Sequence, residues 1–223
     1  MILDTTSTRR ISRRKLLLGG ACLAASPMNA LAEHSCRSNQ FGMQLCTATM
    51  PSGALQVIYA QQSQSQWCWA ACIQMLFRSY GYEVSQQRIV QETFGQLVNM
   101  PAGSGAVISK QINRPWQDDK GKKFRSYLEA AYDFDFGVYS VDNGYIIKKL
   151  TNNEPLIYGN KSHAMLLVQM TYAQSPMGPN VVGAGVLDPW PGNGARALQQ
   201  AELVQVRFGG DYRYLSAVRV EAM

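Results

Sequence analysis

The chain has 223 residues, 46% of them hydrophobic, which is enough to bury a full core as one domain or as two small packed lobes. Its formal charge of +6 invites a nucleic-acid reading, yet five of its 21 basic residues (Arg9, Arg10, Arg13, Arg14 and Lys15) fall before Leu16. Without that segment the charges nearly balance, and the electrostatic case for a nucleic-acid partner goes with it.

The first element in chain order is a leader. Basic residues up to Lys15 precede an apolar, Gly- and Ala-rich stretch from Leu16 to Leu31, and Ala30-Leu31-Ala32 supplies small residues before Glu33. This is the anatomy of a signal peptide over residues 1–32. The apolar stretch is short for a membrane span, so no stable membrane anchor is expected after cleavage. Ser12-Arg13-Arg14-Lys15-Leu16-Leu17 resembles a twin-arginine export signal, which implies a periplasmic or secreted protein.

Four cysteines follow the leader: Cys36, Cys46, Cys68 and Cys72. In an oxidising compartment an even number points first to disulfides. Residues four apart on a helix hold their Cβ atoms about 5–6 Å apart, whereas a disulfide needs about 3.5–4.5 Å, which argues against pairing Cys68 with Cys72. Cys36 with Cys46 is the expected bridge. Residues 33 to 53 are polar and without clear period, and read as an arm lying over the domain of residues 33–223.

From Ser65 to Tyr80 the apolar positions Cys68, Ala71, Cys72, Met75, Leu76 and Tyr80 recur at spacings of three and four before Gly81, predicting a helix with Cys68 in its first turn. Further helices are expected over Ser85 to Phe94, Ala106 to Asn113 and Asn143 to Asn152. Pro115 to Tyr139 mixes aromatic and charged residues and fits neither pattern. Pro155 to Tyr158, His163 to Tyr172, Val181 to Leu187, Leu203 to Phe208 and Tyr212 to Val220 are short branched or aromatic runs between Gly, Pro and Asn, and predict strands. Helices followed by strands is an α+β order.

Of the two histidines, His34 stands in the polar arm, so a catalytic histidine would be His163. Cysteine chemistry needs a thiolate, and a helix N-terminus favours negative charge. Cys68 has that help; Cys72, one turn deeper, reads as a structural residue facing the core.

These residues resemble a family. Gln62 stands six positions before Cys68-Trp69-Ala70, Ser162-His163-Ala164 leads into Met165-Leu166-Leu167-Val168, and Asp188-Pro189-Trp190 follows. In order and spacing they are similar to the glutamine, the Cys-Trp-Ala, the histidine strand and the Asn-x-Trp of papain-like cysteine peptidases. Asp at 188 and the string Gln62-Ser63-Gln64-Ser65-Gln66-Trp67-Cys68 resemble the bacterial subgroup, which includes secreted effector proteases of plant pathogens.

The resemblance implies an N-terminal helical lobe carrying the nucleophile helix, packed on a C-terminal antiparallel β-sheet lobe. It implies Cys68 as nucleophile, His163 as its base, and Asp188 as the group that orients the imidazole. Gln62 would form an oxyanion hole with the Cys68 N–H, and Trp190 would shield the His163–Asp188 contact. The expected activity is hydrolysis of peptide bonds in a peptide or protein substrate through a covalent thioester, by a monomer, with no cofactor and no metal. Zinc ligation by Cys68, Cys72 and His163 is disfavoured, since the cysteines do not form a Cys-x2-Cys pair. Rival readings are a peptidoglycan amidase or endopeptidase, whose short Asp-Cys-Ser signature is missing, and an acyl transferase or binding protein on the same scaffold.

Overall fold

The computed structural model describes residues 33–38, 40 and 42–223. The expected leader, including the arginine pair and the cleavage site, lies outside the described residues. What is described is an α+β structure: a 10-stranded sheet whose pairings are all antiparallel, with six α-helices.

Strands β1 (Glu33–Ser38) and β2 (Gln44–Thr49) form a hairpin, and β2 pairs with β7 (Ala164–Ala173). Glu33–Ser38 and Gln44–Thr49 are therefore integral strands of the sheet and not an arm lying over it. Their short alternation of small and polar side chains gave no periodic signal, but it places Cys36 directly opposite Cys46, and the two are joined as a disulfide. His34, on the same strand, hydrogen-bonds through Nε2 to the Tyr172 hydroxyl at 2.7 Å.

From β7 the sheet continues through β6 (Leu156–Gly159), β10 (Tyr214–Ala222), β4 (Lys123–Asp133) and β3 (Pro115–Gln117). The short β5 (Val138–Tyr139) pairs with β4, while β8 (Asn180–Asp188) pairs with β7 and with β9 (Gly194–Ala197). Both faces are covered, which is why the central strands read as nearly continuous apolar runs. Ile157, Leu166, Val168 and Val218 face one hydrophobic cluster; Leu156, Tyr158, Met165, Leu167, Leu215 and Ala217 face the other. A shift in the β7–β8 register between Leu167 and Gln169 changes the alternation, so Met170 joins Leu167 on one side.

The first face carries α1 (Ser52–Ile58), α2 (Cys68–Ser79), α3 (Gln86–Phe94) and α4 (Gly105–Gln111). Helix α2 is buried continuously from Trp69 to Phe77, so it forms the centre of this layer. Gly95, at φ 74°, takes the left-handed conformation that ends α3. Helix α5 (Asn143–Thr151), capped by the Asp142 side chain on the Tyr145 N–H, packs Ile146 and Leu150 against the second face.

One expected strand is not formed. Over Leu203 to Phe208 the chain instead ends a short helix, α6 (Gln200–Leu203), and makes a 3₁₀ turn over Val206–Phe208 closed by Gly209 at φ 86°. Turn closure by this glycine and a bridge from Gln205 to Tyr212 outweigh the β-propensity of Val204 and Val206. Among the described residues no helix is long and apolar enough to cross a membrane.

Candidate active site

Cys68 is the first residue of α2 and is partly exposed. No side chain caps this helix, which leaves its first-turn N–H groups without intrahelical partners around the sulfur. Cys72, one turn on, is fully buried, and burial followed by the neighbouring Cys68 and Asp188 pushes its thiol well above the ordinary range.

The loop before Cys68 is held by buried amides. Gln86 donates to the Gln61 carbonyl and to Gln74 Oε1 at 2.9 Å each, and its own Oε1 accepts the Ser63 N–H at 2.9 Å. The Gln62 N–H donates to the Pro189 carbonyl at 2.8 Å, and the Tyr59 hydroxyl donates to the Asp188 carbonyl at 3.3 Å. These bonds tie the approach to Cys68 directly to the loop that follows β8.

His163 closes the four-residue turn between β6 and β7, opposite Cys68 across the cleft. Asn160 shapes this turn: its Oδ1 accepts the N–H groups of Ser162 at 3.0 Å and His163 at 2.7 Å. Because β8 runs antiparallel to β7, with Leu187 opposite Leu166, the last residue of β8 reaches the end of the sheet where His163 sits. That residue is Asp188, and His163 Nε2–H donates to its Oδ1 at 2.6 Å. With Nε2 so engaged, Nδ1 is the ring nitrogen left for the Cys68 thiol.

Burial lowers the His163 pKa, but hydrogen bonds with Asp188 and then Cys68 outweigh it and raise the value to about 9. The shift favours the protonated ring. Asp188 is 1% exposed; burial works against its charge, yet His163, Arg196 and the Trp190 N–H hold it well below the usual carboxylate range.

Four donors converge on Asp188. Besides His163, the Trp190 N–H reaches Oδ1 at 2.9 Å, while Asn193 Nδ2 and Arg196 Nε reach Oδ2 at 3.0 and 2.8 Å. Asn193 and Arg196 were not expected from the sequence, because single polar residues in a turn and a short strand carry no pattern. The Trp190 ring stands edge-on to His163 with centroids 6.1 Å apart and is itself 46% exposed, so it covers only one side of the imidazole.

Gln62 lies in the loop before α2 with its side chain turned inward. Both amide hydrogens are committed, to the carbonyls of Gln64 and Ser65 at 3.0 Å each, and Oε1 is buried without a partner. The expected role as an oxyanion donor is not available in this arrangement; at least one of those two bonds has to open first.

The cleft beside Cys68 and His163 has a volume of about 370 Å³. Pro101 to Gly105 form one wall, Gly159 to Ser162 the other, with Ile108 and Tyr214 between them. The indole of Trp67 donates to the Val98 carbonyl at 2.8 Å and that of Trp69 to the Met100 carbonyl at 3.2 Å, which hold the first wall against α2. Among the described residues the one His/Cys/Asp/Glu group close enough to hold an ion is His34, Cys36 and Cys46, and its two sulfurs are spent on the disulfide. In sequence comparison, no protein-family model and no curated protein matches the chain, so the functional assignment rests on the geometry.

Proposed function

We propose that the chain is a papain-like cysteine peptidase of the exported bacterial kind, hydrolysing peptide bonds with Cys68, His163 and Asp188. The observation that carries this reading is His163 hydrogen-bonded to buried Asp188 and lining the same cleft as Cys68, which stands at a helix head. The Cys68 sulfur attacks the substrate carbonyl carbon and the C–N bond breaks as His163 gives its proton to the leaving amine. His163, now neutral, takes a proton from water, whose oxygen attacks the thioester and releases the acid. The Cys68 N–H lies at the head of α2 and supplies a donor for the oxyanion; Gln62 adds a second only after releasing Gln64 or Ser65.

The test is to follow a denatured protein and a fluorogenic peptide library with the wild type, Cys68→Ala and His163→Ala. Cleavage by the wild type and its loss in both folded variants supports the reading. Inactivity on every peptide together with digestion of purified sacculi would move the assignment to peptidoglycan, and a new amide adduct from a labelled amine would move it to acyl transfer.

A further inference from the structure

The second oxygen of Asp188 leads away from the cleft into a ring of side chains that returns to His163. Asp188 Oδ2 accepts Arg196 Nε at 2.8 Å. The other two guanidinium nitrogens of Arg196 take both oxygens of Glu202, Nη1 to Oε2 at 2.8 Å and Nη2 to Oε1 at 2.9 Å. Glu202 Oε1 also accepts Asn160 Nδ2 at 3.1 Å, and Asn160 Oδ1 accepts the His163 main-chain N–H at 2.7 Å. Glu202 is itself buried and fixed, because its Oε2 takes the Gln199 N–H at the start of α6. Strand β9, helix α6, the β6–β7 turn and the end of β8 are thereby joined.

We propose that Arg196 is a positioning residue which, through Glu202 and Asn160, fixes the His163 main chain and the Asp188 carboxylate as one unit and so keeps the imidazole aimed at Cys68. This rests on the Cys-His-Asp reading above. A guanidinium suits the task because its planar fork can hold two carboxylates at once, whereas an ammonium is a point charge. Without the fork, the buried carboxylates of Asp188 and Glu202 are left as neighbouring like charges. Asp188 then either turns off His163 or takes up a proton.

The direction of the resulting change is diagnostic. The charged or titratable groups that interact with Asp188 are His163, Arg196, Tyr59 and Cys72, with Glu202 beyond the guanidinium; Cys68 faces His163 from α2. If Arg196 acted only as a nearby cation, its removal would let His163 hold its proton to higher pH. If it positions Asp188, its removal weakens the carboxylate beside the ring, and His163 releases its proton at lower pH.

The experiment is an NMR titration of the His163 C2–H. The chain has two histidines, so His34→Gln leaves a single resonance to follow. The wild type is expected to titrate at about 9. Arg196→Met should titrate at least about one pH unit lower, toward the ordinary value of about 6.5, and kcat on a cleaved peptide should fall at least about tenfold. Arg196→Lys keeps the charge without the fork and should also titrate lower, which keeps the test decisive if the methionine variant does not fold. A folded Arg196→Met at or above the wild-type value, or Arg196→Lys equal to it, overturns the inference. A wild type that cleaves no peptide, or one matched in activity by a folded His163→Ala, overturns the Cys-His-Asp reading itself, and separately.

Discussion

Replacing Asp188 by Asn tests the physical basis of the site, because the substitution keeps the shape while removing the charge and one acceptor oxygen. Four donors meet this carboxylate, from His163, Trp190, Asn193 and Arg196. An amide offers one acceptor oxygen and two donor hydrogens, so it can face only one pair correctly. With its oxygen toward His163 and Trp190, its NH₂ opposes Asn193 and Arg196. With the amide reversed, the Trp190 N–H is unpaired and His163 is driven to the tautomer that carries its proton on Nδ1. Either arrangement breaks hydrogen bonds to partly exposed donors, at a cost of about 1 kcal/mol each.

A second, pH-dependent loss comes on top. His163 is raised to about 9 in the folded chain, against about 6.5 for an ordinary imidazole, and at 1.36 kcal/mol per pH unit this contributes up to about 3 kcal/mol. Because the folded value is the higher one, the contribution is complete below about pH 6.5 and disappears as the pH rises through about 9. Asp188 is shifted the other way, so its contribution is complete above the ordinary carboxylate value of about 3.9 and is lost as the pH falls. The stability gap between wild type and Asp188→Asn should therefore be widest between about pH 4 and about pH 6.5, and narrow by up to about 3 kcal/mol by about pH 9.5. Urea unfolding at each pH measures it. A gap that stays constant from about pH 6 to about pH 9.5 would refute the reasoning.

Gln62→Ala should lower stability by about 1–2 kcal/mol, since it frees the Gln64 and Ser65 carbonyls, while kcat falls less than about tenfold; a hundredfold loss of kcat at unchanged Tm would instead show that the amide swings out to the oxyanion. Iodoacetamide at neutral pH should label Cys68 at least about a hundredfold faster than Cys72, which is reached only by local opening. Comparable rates, read by tandem mass spectrometry of the shared peptide, would contradict the burial of Cys72. The Cys36–Cys46 bridge closes a short loop, its ends 10 residues apart; the double Cys36→Ala/Cys46→Ala variant should lose up to about 3 kcal/mol in urea unfolding, and an unchanged midpoint would show that the hairpin is held by its strand pairing alone.

The parts of the fold that were legible in the sequence are those whose environment is uniform along the chain. Helices α2, α3 and α5 announce their apolar faces at spacings of three and four, and β6, β7, β8 and β10 announce themselves by short runs of branched and aromatic residues where they are buried. Strand β4 was illegible because its eleven residues pass from an exposed, charged start at Lys123 to a buried end at Asp133. The hairpin β1–β2 was missed because β1 is exposed along its whole length, so that the disulfide and the pairing with β7 hold it and no apolar face marks it. In the site, Cys68, His163 and Asp188 stood out by residue type and order. Arg196, Glu202 and Asn160 did not, because each matters only through a contact that the folded chain creates, the Asn160–Glu202 bond spanning 42 positions.

The placement of β2 beside β7 bears on how such a protein can be made ready for work. An inhibitory extension that is clipped off on maturation has to leave an intact body behind. Here, trimming the chain back to Met50 would strip the sheet of two strands and bare the main-chain amides and carbonyls of β7 from Gln169 to Ala173, an open template for pairing with another copy. The strands that begin at Glu33 are thus a permanent wall of the sheet, and maturation that keeps the sheet whole has to leave them in place.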